Sequence, residues 1–287
     1  MTIKDLDDGT FLAMHGNGAY YGNIVTNSRE AFEKWYRKGI RIFEMDIAET
    51  SDSEYVAISH FLDREDLITR QVFNTLKNSN GYSREWFLSL KLYRYTSPGL
   101  TPLSLSEITH IMRMYKDVIF IIDTFGLFTY RDTERLKRKI GELVDEGLEN
   151  RLLVEVYNDD MYRGFGGEFS RLKMVYCMKY RYQGCDIEAD KTVDELKDMN
   201  ISFLSYPYKY IKGIQDVKEY VDDGMNILCY SEDNSHYKEL NKIGIRINLV
   251  DNIYSGYFIY LKRSAFMVQN YLYRAAVGII RRLNRVV

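Results

Sequence analysis

Three cysteines, three prolines, two tryptophans and four histidines occur among 287 residues, and the scarcity of the first two removes classes of protein. Cys177, Cys185 and Cys229 are odd in number and show no CxxC spacing, which argues against a disulfide framework or a zinc site and leaves buried free thiols. With so little proline, and no Ser/Gly-rich or Pro-rich linker, nothing marks a boundary between separate domains. Long apolar runs are missing too. The longest purely aliphatic run, Val118 to Ile122 with only Phe120 breaking the type, is far short of the ~20 residues that span a bilayer. Neither charge is in excess: Lys plus Arg total 39 against 41 Asp plus Glu, a net of −2, so no nucleic-acid partner is expected. The opening MTIKDLDDGT carries Asp5, Asp7 and Asp8 where an export signal needs an apolar stretch, so the expected location is cytoplasmic. No internal repeat of roughly 20 to 50 residues is present.

What is present suits a packed α/β protein, with 46% apolar and 28% charged residues. Short β-rich runs alternate with helical patterns, the mark of βα units around a parallel sheet. The runs are Phe11–Met14, Ile40–Ile47, Tyr55–Ser59, Val118–Thr124, Leu152–Tyr157, Leu172–Cys177, Ile201–Tyr206, Asn226–Tyr230 and Gly244–Val250. These are nine runs for the eight places of a closed barrel, so one, Tyr55–Ser59 or Ile201–Tyr206, is either a hairpin addition or no strand. Helix starts are marked by Asn27 with Glu30, Ser104 with Glu107 and Thr192 with Glu195, each a capping side chain followed three residues later by a carboxylate. The stretch from about 61 to 103 is polar and aromatic without a period and reads as a long insertion on one loop. The expected fold is a (β/α)8 TIM barrel over residues 1–262, with that insertion and a C-terminal helical tail over 263–287.

RIFEMDI is the most informative segment. Side chains alternate along a strand, so Ile40, Ile42, Glu44 and Asp46 share one face while Arg41, Phe43, Met45 and Ile47 share the other. If Phe43, Met45 and Ile47 meet the helices, Glu44 and Asp46 point into the barrel mouth at the strand's C-terminal end, where barrel enzymes keep their sites. At ~6 Å and an effective dielectric of ~20, two such charges repel by about 3 kcal/mol, which calls for a hard divalent cation, Mg²⁺ or Ca²⁺. The alternative is an edge strand with both acids facing water. His15 and His60 each end a β-rich run and so fall on the same rim; two imidazoles beside a cation can serve as general acid and base. Asp123 closes the apolar run of VIFIIDTFG, where a buried carboxylate is costly unless paired or metal-bound. It is the natural third ligand, or else a cap on the turn through Thr124 and Gly126. Glu155 in LLVEVYN is a fourth candidate.

Together these residues resemble the glycerophosphodiester phosphodiesterase family. The resemblance rests on HG at 15–16, TNSREAF from Thr26, GIRIFEMDI from Gly39, SH at 59–60, TPLSLSEI from Thr101, and ILCYSEDN followed by GIRINLVDNI. It implies that Glu44 and Asp46 are metal ligands, that His15 and His60 are the acid/base pair, and that Asp123 stands where the family has a glutamate ligand. Departures accompany it: Gly16 replaces an arginine, Phe61 an aspartate and Phe125 a lysine, so two phosphate-facing cations are missing. Lys173, Lys179 or Arg181 could replace them from another strand end. The substrate-facing candidates are Glu155, Lys173, Lys179 and Tyr230.

The implied activity is metal-dependent cleavage of a glycerophosphodiester-like or glycan- or lipid-linked phosphodiester. Two rivals accompany it: a lyase giving a cyclic phosphate, and a non-catalytic binding protein docked on a membrane. From Asn252 to Val287 there is no Asp or Glu, while Lys262, Arg263, Arg274, Arg281, Arg282 and Arg285 interleave with apolar residues. That pattern fits an interfacial membrane helix or, equally, a last helix extended into a homo-oligomer contact.

Overall fold

The computed structural model describes residues 1–59, 81–92, 98–182, 185–187, 191–211, 215, 217–252 and 268–269. Its strands are β1 (Phe11–Met14), β2 (Ile42–Glu49), β3 (Tyr55–Ala57), β4 (Leu103–Ser104), β5 (Ile119–Asp123), β6 (Leu152–Val156), β7 (Lys173–Cys177), β8 (Tyr180–Tyr182), β9 (Cys185–Ile187), β10 (Phe203–Pro207), β11 (Asn226–Asp233) and β12 (Ile247–Asn252). Eight of them, β1, β2, β5, β6, β7, β10, β11 and β12, pair in parallel in that order, and β1 closes the ring by pairing with both β12 and β2. The fold is a (β/α)8 TIM barrel.

Alternation along the strands sorts the core into two layers. Ala13, Ile42, Ile121, Val175, Leu228 and Leu249 fill the barrel. Phe43, Met45 and Ile47 face the helices with Phe32, Trp35 and Ile108. Each fully buried aliphatic or aromatic side chain of this kind contributes about 1.5–3 kcal/mol. At the N-terminal end the 3₁₀ turn Ile3–Asp8 places Ile3 and Leu6 against the barrel-filling residues and closes the bottom.

The surplus run is Tyr55–Ser59. It forms β3, antiparallel to the last residues of β2, where β2 continues past the ring, and it pairs in turn with β4; Ile201–Tyr206 supplies the barrel strand β10. The described part of 61–103 is not a featureless loop. It carries a helix, Arg84–Leu88, whose Phe87 packs on Val56 and Ile58, and then β4, while 61–80 and 93–97 lie outside the described residues. The first helix, Arg29–Arg37, is capped by Ser28, which accepts from the Ala31 N–H, rather than by Asn27. Glu30 instead accepts from the amide and hydroxyl of Thr101. The caps at Ser104 and Thr192 are as expected. Among the described residues no helix is long and apolar enough to cross a membrane. The tail, 263–287, lies outside them apart from residues 268 and 269.

Candidate active site

The C-terminal mouth of the barrel gathers its functional side chains strand by strand. Met14, the last residue of β1, pairs with Val250 of β12, so the residues that follow them, His15 in the turn after β1 and Asp251 on β12, meet: His15 Nδ1 lies 2.6 Å from Asp251 Oδ1. On the other side β1 pairs with β2, and the Gly16 N–H donates to Glu44 Oε2 at 2.6 Å. The His15 Nε2 edge stands 3.9 Å from the same oxygen, and the Tyr230 ring lies against the imidazole with centroids 4.6 Å apart.

Two residues further along β2, Asp46 is clipped by Asn27, which donates Nδ2–H to Asp46 Oδ2 at 2.7 Å and accepts the Asp46 N–H at 3.1 Å. Asp46 is also in register with Asp123 on β5. Asp123 Oδ1 accepts the Phe125 N–H at 2.8 Å and lies 2.7 Å from the Tyr157 hydroxyl, which is also 3.0 Å from Glu155 Oε2. The local capping role foreseen for Asp123 is therefore realised, through Phe125 rather than Thr124 and Gly126, beside its place in the mouth.

Glu44, Asp46, Glu155 and Asp251 are each 1–3% exposed, so their charges are nearly desolvated. Burial, then the charges of Asp46, Asp123 and Glu155, push the Glu44 carboxyl well above the usual carboxylate range. Burial and Asp123 push Glu155 to about 8. For His15 burial works toward the neutral ring, but the hydrogen bond and charge of Asp251, with Asp46 and Asp123 beyond, outweigh it and raise its pKa above the ordinary value.

His15, Glu44 and Asp46 offer ligand atoms that all lie within 4.8 Å of one another. Donors at ~2.0–2.6 Å from one ion have such spacings. Among the described residues Glu44 Oε1 is buried without a hydrogen-bond partner, an oxygen placed for an electrostatic partner that the described side chains do not supply. A carboxylate-rich donor set suits a hard divalent cation, and the residues fit one. The compact group differs from the expected triad in one member, with His15 in it and Asp123 beside it.

Of the other candidates, Lys173 opens β7 at the N-terminal end, exposed and beside Ser170, Asn200 and Ser202. It is at the wrong rim to face substrate, because a strand's first residue lies at the bottom of the barrel. Lys179 follows β7 at the mouth end, with Nζ 5.6 Å from the Tyr206 ring centre. His60 and Phe61 lie outside the described residues, as does the side chain of Arg181. Asp251, Asn27 and Tyr157 escaped the sequence reading. The signal for Asp251 was the one that exposed Asp123, an acid closing an apolar run.

A closed barrel with histidine and buried acids at its C-terminal rim is the architecture of a barrel enzyme. The solved structures that share it are more particular. A glycerophosphodiester phosphodiesterase from Parabacteroides distasonis superposes with a TM-score of 0.64 at 18% identity, over 91% of this chain and 98% of the other. A phosphodiesterase from Oleispira antarctica, in complex with the product sn-glycerol-3-phosphate, superposes with a TM-score of 0.63 at 14% identity, over 85% and 93%. A third, the glycerophosphodiester phosphodiesterase from Thermotoga maritima, gives 0.55 at 15% identity, over 88% and 98%. No protein-family model and no curated protein matches the chain. At these identities the likeness establishes the shared barrel fold.

Proposed function

We propose that the chain is a divalent-cation-dependent phosphodiesterase acting on a glycerophosphodiester-like substrate, and that His15 is one of its acid/base groups. The observation that carries this reading is the His15–Asp251 contact of 2.6 Å beside Glu44 and Asp46, in a barrel shared with glycerophosphodiester phosphodiesterases. Glu44 and Asp46, with Asp123 beside them, would hold the cation, which when bound supplies Lewis-acid polarisation of a phosphoryl oxygen.

The chain's own groups do the rest. Asp251 accepts Nδ1–H, which fixes the tautomer and leaves Nε2 on the Glu44 side as the nitrogen that takes or gives a proton. That proton comes from the attacking hydroxyl or goes to the leaving alcohol, and His60 is proposed for the opposite transfer. Gly16 hands its N–H to Glu44 at a backbone φ of 51°, and a side chain there would meet Val25, so no side chain on residue 16 reaches the phosphate. With Gly16 and Phe125 in place of cations, Lys179 at the mouth end of β7 is the proposed phosphate-facing group. These substitutions support a substrate range unlike that of the structural relatives.

The test is hydrolysis of bis-p-nitrophenyl phosphate with Mg²⁺, Ca²⁺ or Mn²⁺ and with EDTA. Metal-dependent turnover is expected, with a loss of ~10²–10⁴ in His15→Ala. Equal rates in EDTA and metal, unaffected by His15→Ala, would remove the enzyme reading and leave a binding protein. Analysis of the product from a glycerophosphodiester separates hydrolysis from cyclisation.

A further inference from the structure

Behind Asp123 lies a hydrogen-bond chain that the proposed acid/base and metal groups do not use. The Tyr157 oxygen stands 2.7 Å from Asp123 Oδ1 and 3.0 Å from Glu155 Oε2, all of it buried. A phenol has one proton to donate. It cannot serve two carboxylates, so one of the two contacts needs a proton supplied by the acid. Asp123 already accepts the Phe125 N–H on the same Oδ1, so that oxygen serves as an acceptor. Glu155 is the deeper of the two, 2% exposed against 7% for Asp123, with the Cys177 thiol as a further neighbour. The proton balance that satisfies both of these contacts runs Glu155 O–H to Tyr157 Oη, then Tyr157 O–H to Asp123 Oδ1.

We infer that Tyr157, held by a neutral Glu155, is a positioning residue that fixes the Asp123 carboxylate for cation binding in the mouth. The inference rests on the proposed metal site and says how this chain builds it. Asp123 is pinned at one oxygen from two directions, by the Phe125 amide of its own turn and by a hydroxyl from β6's end, so its plane is set before any ion arrives. Ligand orientation of this kind is worth roughly 10–100-fold in metal affinity. The Tyr157 ring is also wedged edge-on against Phe125 and Phe128, with centroids 5.3 and 6.2 Å away, which places the hydroxyl without a rotamer search.

The experiment is Mn²⁺ binding to the full-length chain, read by electron paramagnetic resonance of the free ion, for wild type, Tyr157→Phe, Glu155→Gln and Glu155→Leu. Tyr157→Phe keeps the ring packing and loses only the hydroxyl, and its Mn²⁺ dissociation constant should rise about tenfold. Glu155→Gln can still donate to Tyr157 Oη and should bind like wild type, whereas Glu155→Leu should resemble Tyr157→Phe. Thermal unfolding of the metal-free proteins confirms that all four fold. Wild-type affinity in Tyr157→Phe, or Glu155→Gln as weak as Glu155→Leu, overturns the inference while leaving the phosphodiesterase reading intact. Absence of hydrolysis with this binding pattern present overturns that reading alone, and a wild type that binds no Mn²⁺ overturns both.

Discussion

Glu155 links protonation to stability in a direction that can be worked out. Its pKa is about 8 in the folded chain against an ordinary 4.5, raised by burial and then by Asp123. A raised carboxyl pKa means the fold holds the proton more tightly than the unfolded chain does. Its contribution is therefore complete below pH ~4.5 and is lost as the pH climbs through ~8. In EDTA, Glu155→Gln should melt progressively higher relative to wild type between pH 5 and pH 8.5, measured as the difference in Tm. A difference that is flat over that window contradicts a neutral buried Glu155. The neighbouring acids show how much of such a site a sequence displays. Glu44, Asp46 and Asp123 stood out because each sits in or at the end of an apolar run. Asn27 did not, since Asn-x-x-Glu has the form of a capping box, and Asp46, nineteen residues on, claims its side chain.

The segment between β1 and the first helix is where the backbone is most constrained. Gly16, Asn17, Gly18, Tyr21, Gly22, Val25 and Asn27 all have positive φ, and for a β-branched residue such as Val25 that conformation is strained. The surroundings impose it: Lys34 Nζ and Trp35 Nε1 both donate to the Ala19 carbonyl, and the Ala19 N–H donates to the Asp251 carbonyl. This bracing aims the Gly16 N–H at Glu44 and Asn27 at Asp46. A Cβ on Gly16 would lie 2.4 Å from Val25 Cγ1 and 2.7 Å from the Val25 Cα, so the clash includes backbone that cannot swing away. Gly16→Ala should therefore cost about 1–3 kcal/mol in urea unfolding and weaken Mn²⁺ binding. Adding Val25→Gly removes the Cγ1 contact and leaves the Cα one, so it should recover only part of the stability, and full recovery in the double variant would place the clash in the Val25 side chain alone. The helix caps at Ser104 and Thr192 were readable from local pattern alone. The cap at Ser28 was displaced by one residue, because the helix starts where the loop leaves it.

The barrel separates stability from chemistry by putting them at opposite ends. Leu6, fully buried, plugs the bottom with Ile3 against the barrel-filling layer, while the acids and His15 occupy the top. Leu6→Ala should lose about 2–5 kcal/mol of unfolding free energy and leave the Mn²⁺ dissociation constant unchanged. A large change in affinity would show that the two ends are coupled. The same polarity explains the error over Lys173, a cation on a candidate strand whose position along β7 put it at the bottom.

Alternation along RIFEMDI was visible in consecutive residues, because a strand's side-chain period is a property of the chain itself. It correctly divided Glu44 and Asp46 from Phe43, Met45 and Ile47. Which strands were to lie side by side was a different matter, since Tyr55–Ser59 and Ile201–Tyr206 are equally β-like and pairing is non-local. His15 and Asp251 are 236 positions apart and meet because closure of the ring sets β1 against β12. The acids could thus be named from their neighbours in sequence, whereas the partners that tune them were decided by which segments lie side by side: ring closure brings Asp251 to His15, the loop after β1 brings Asn27 to Asp46, and β6 beside β5 brings Tyr157 to Asp123.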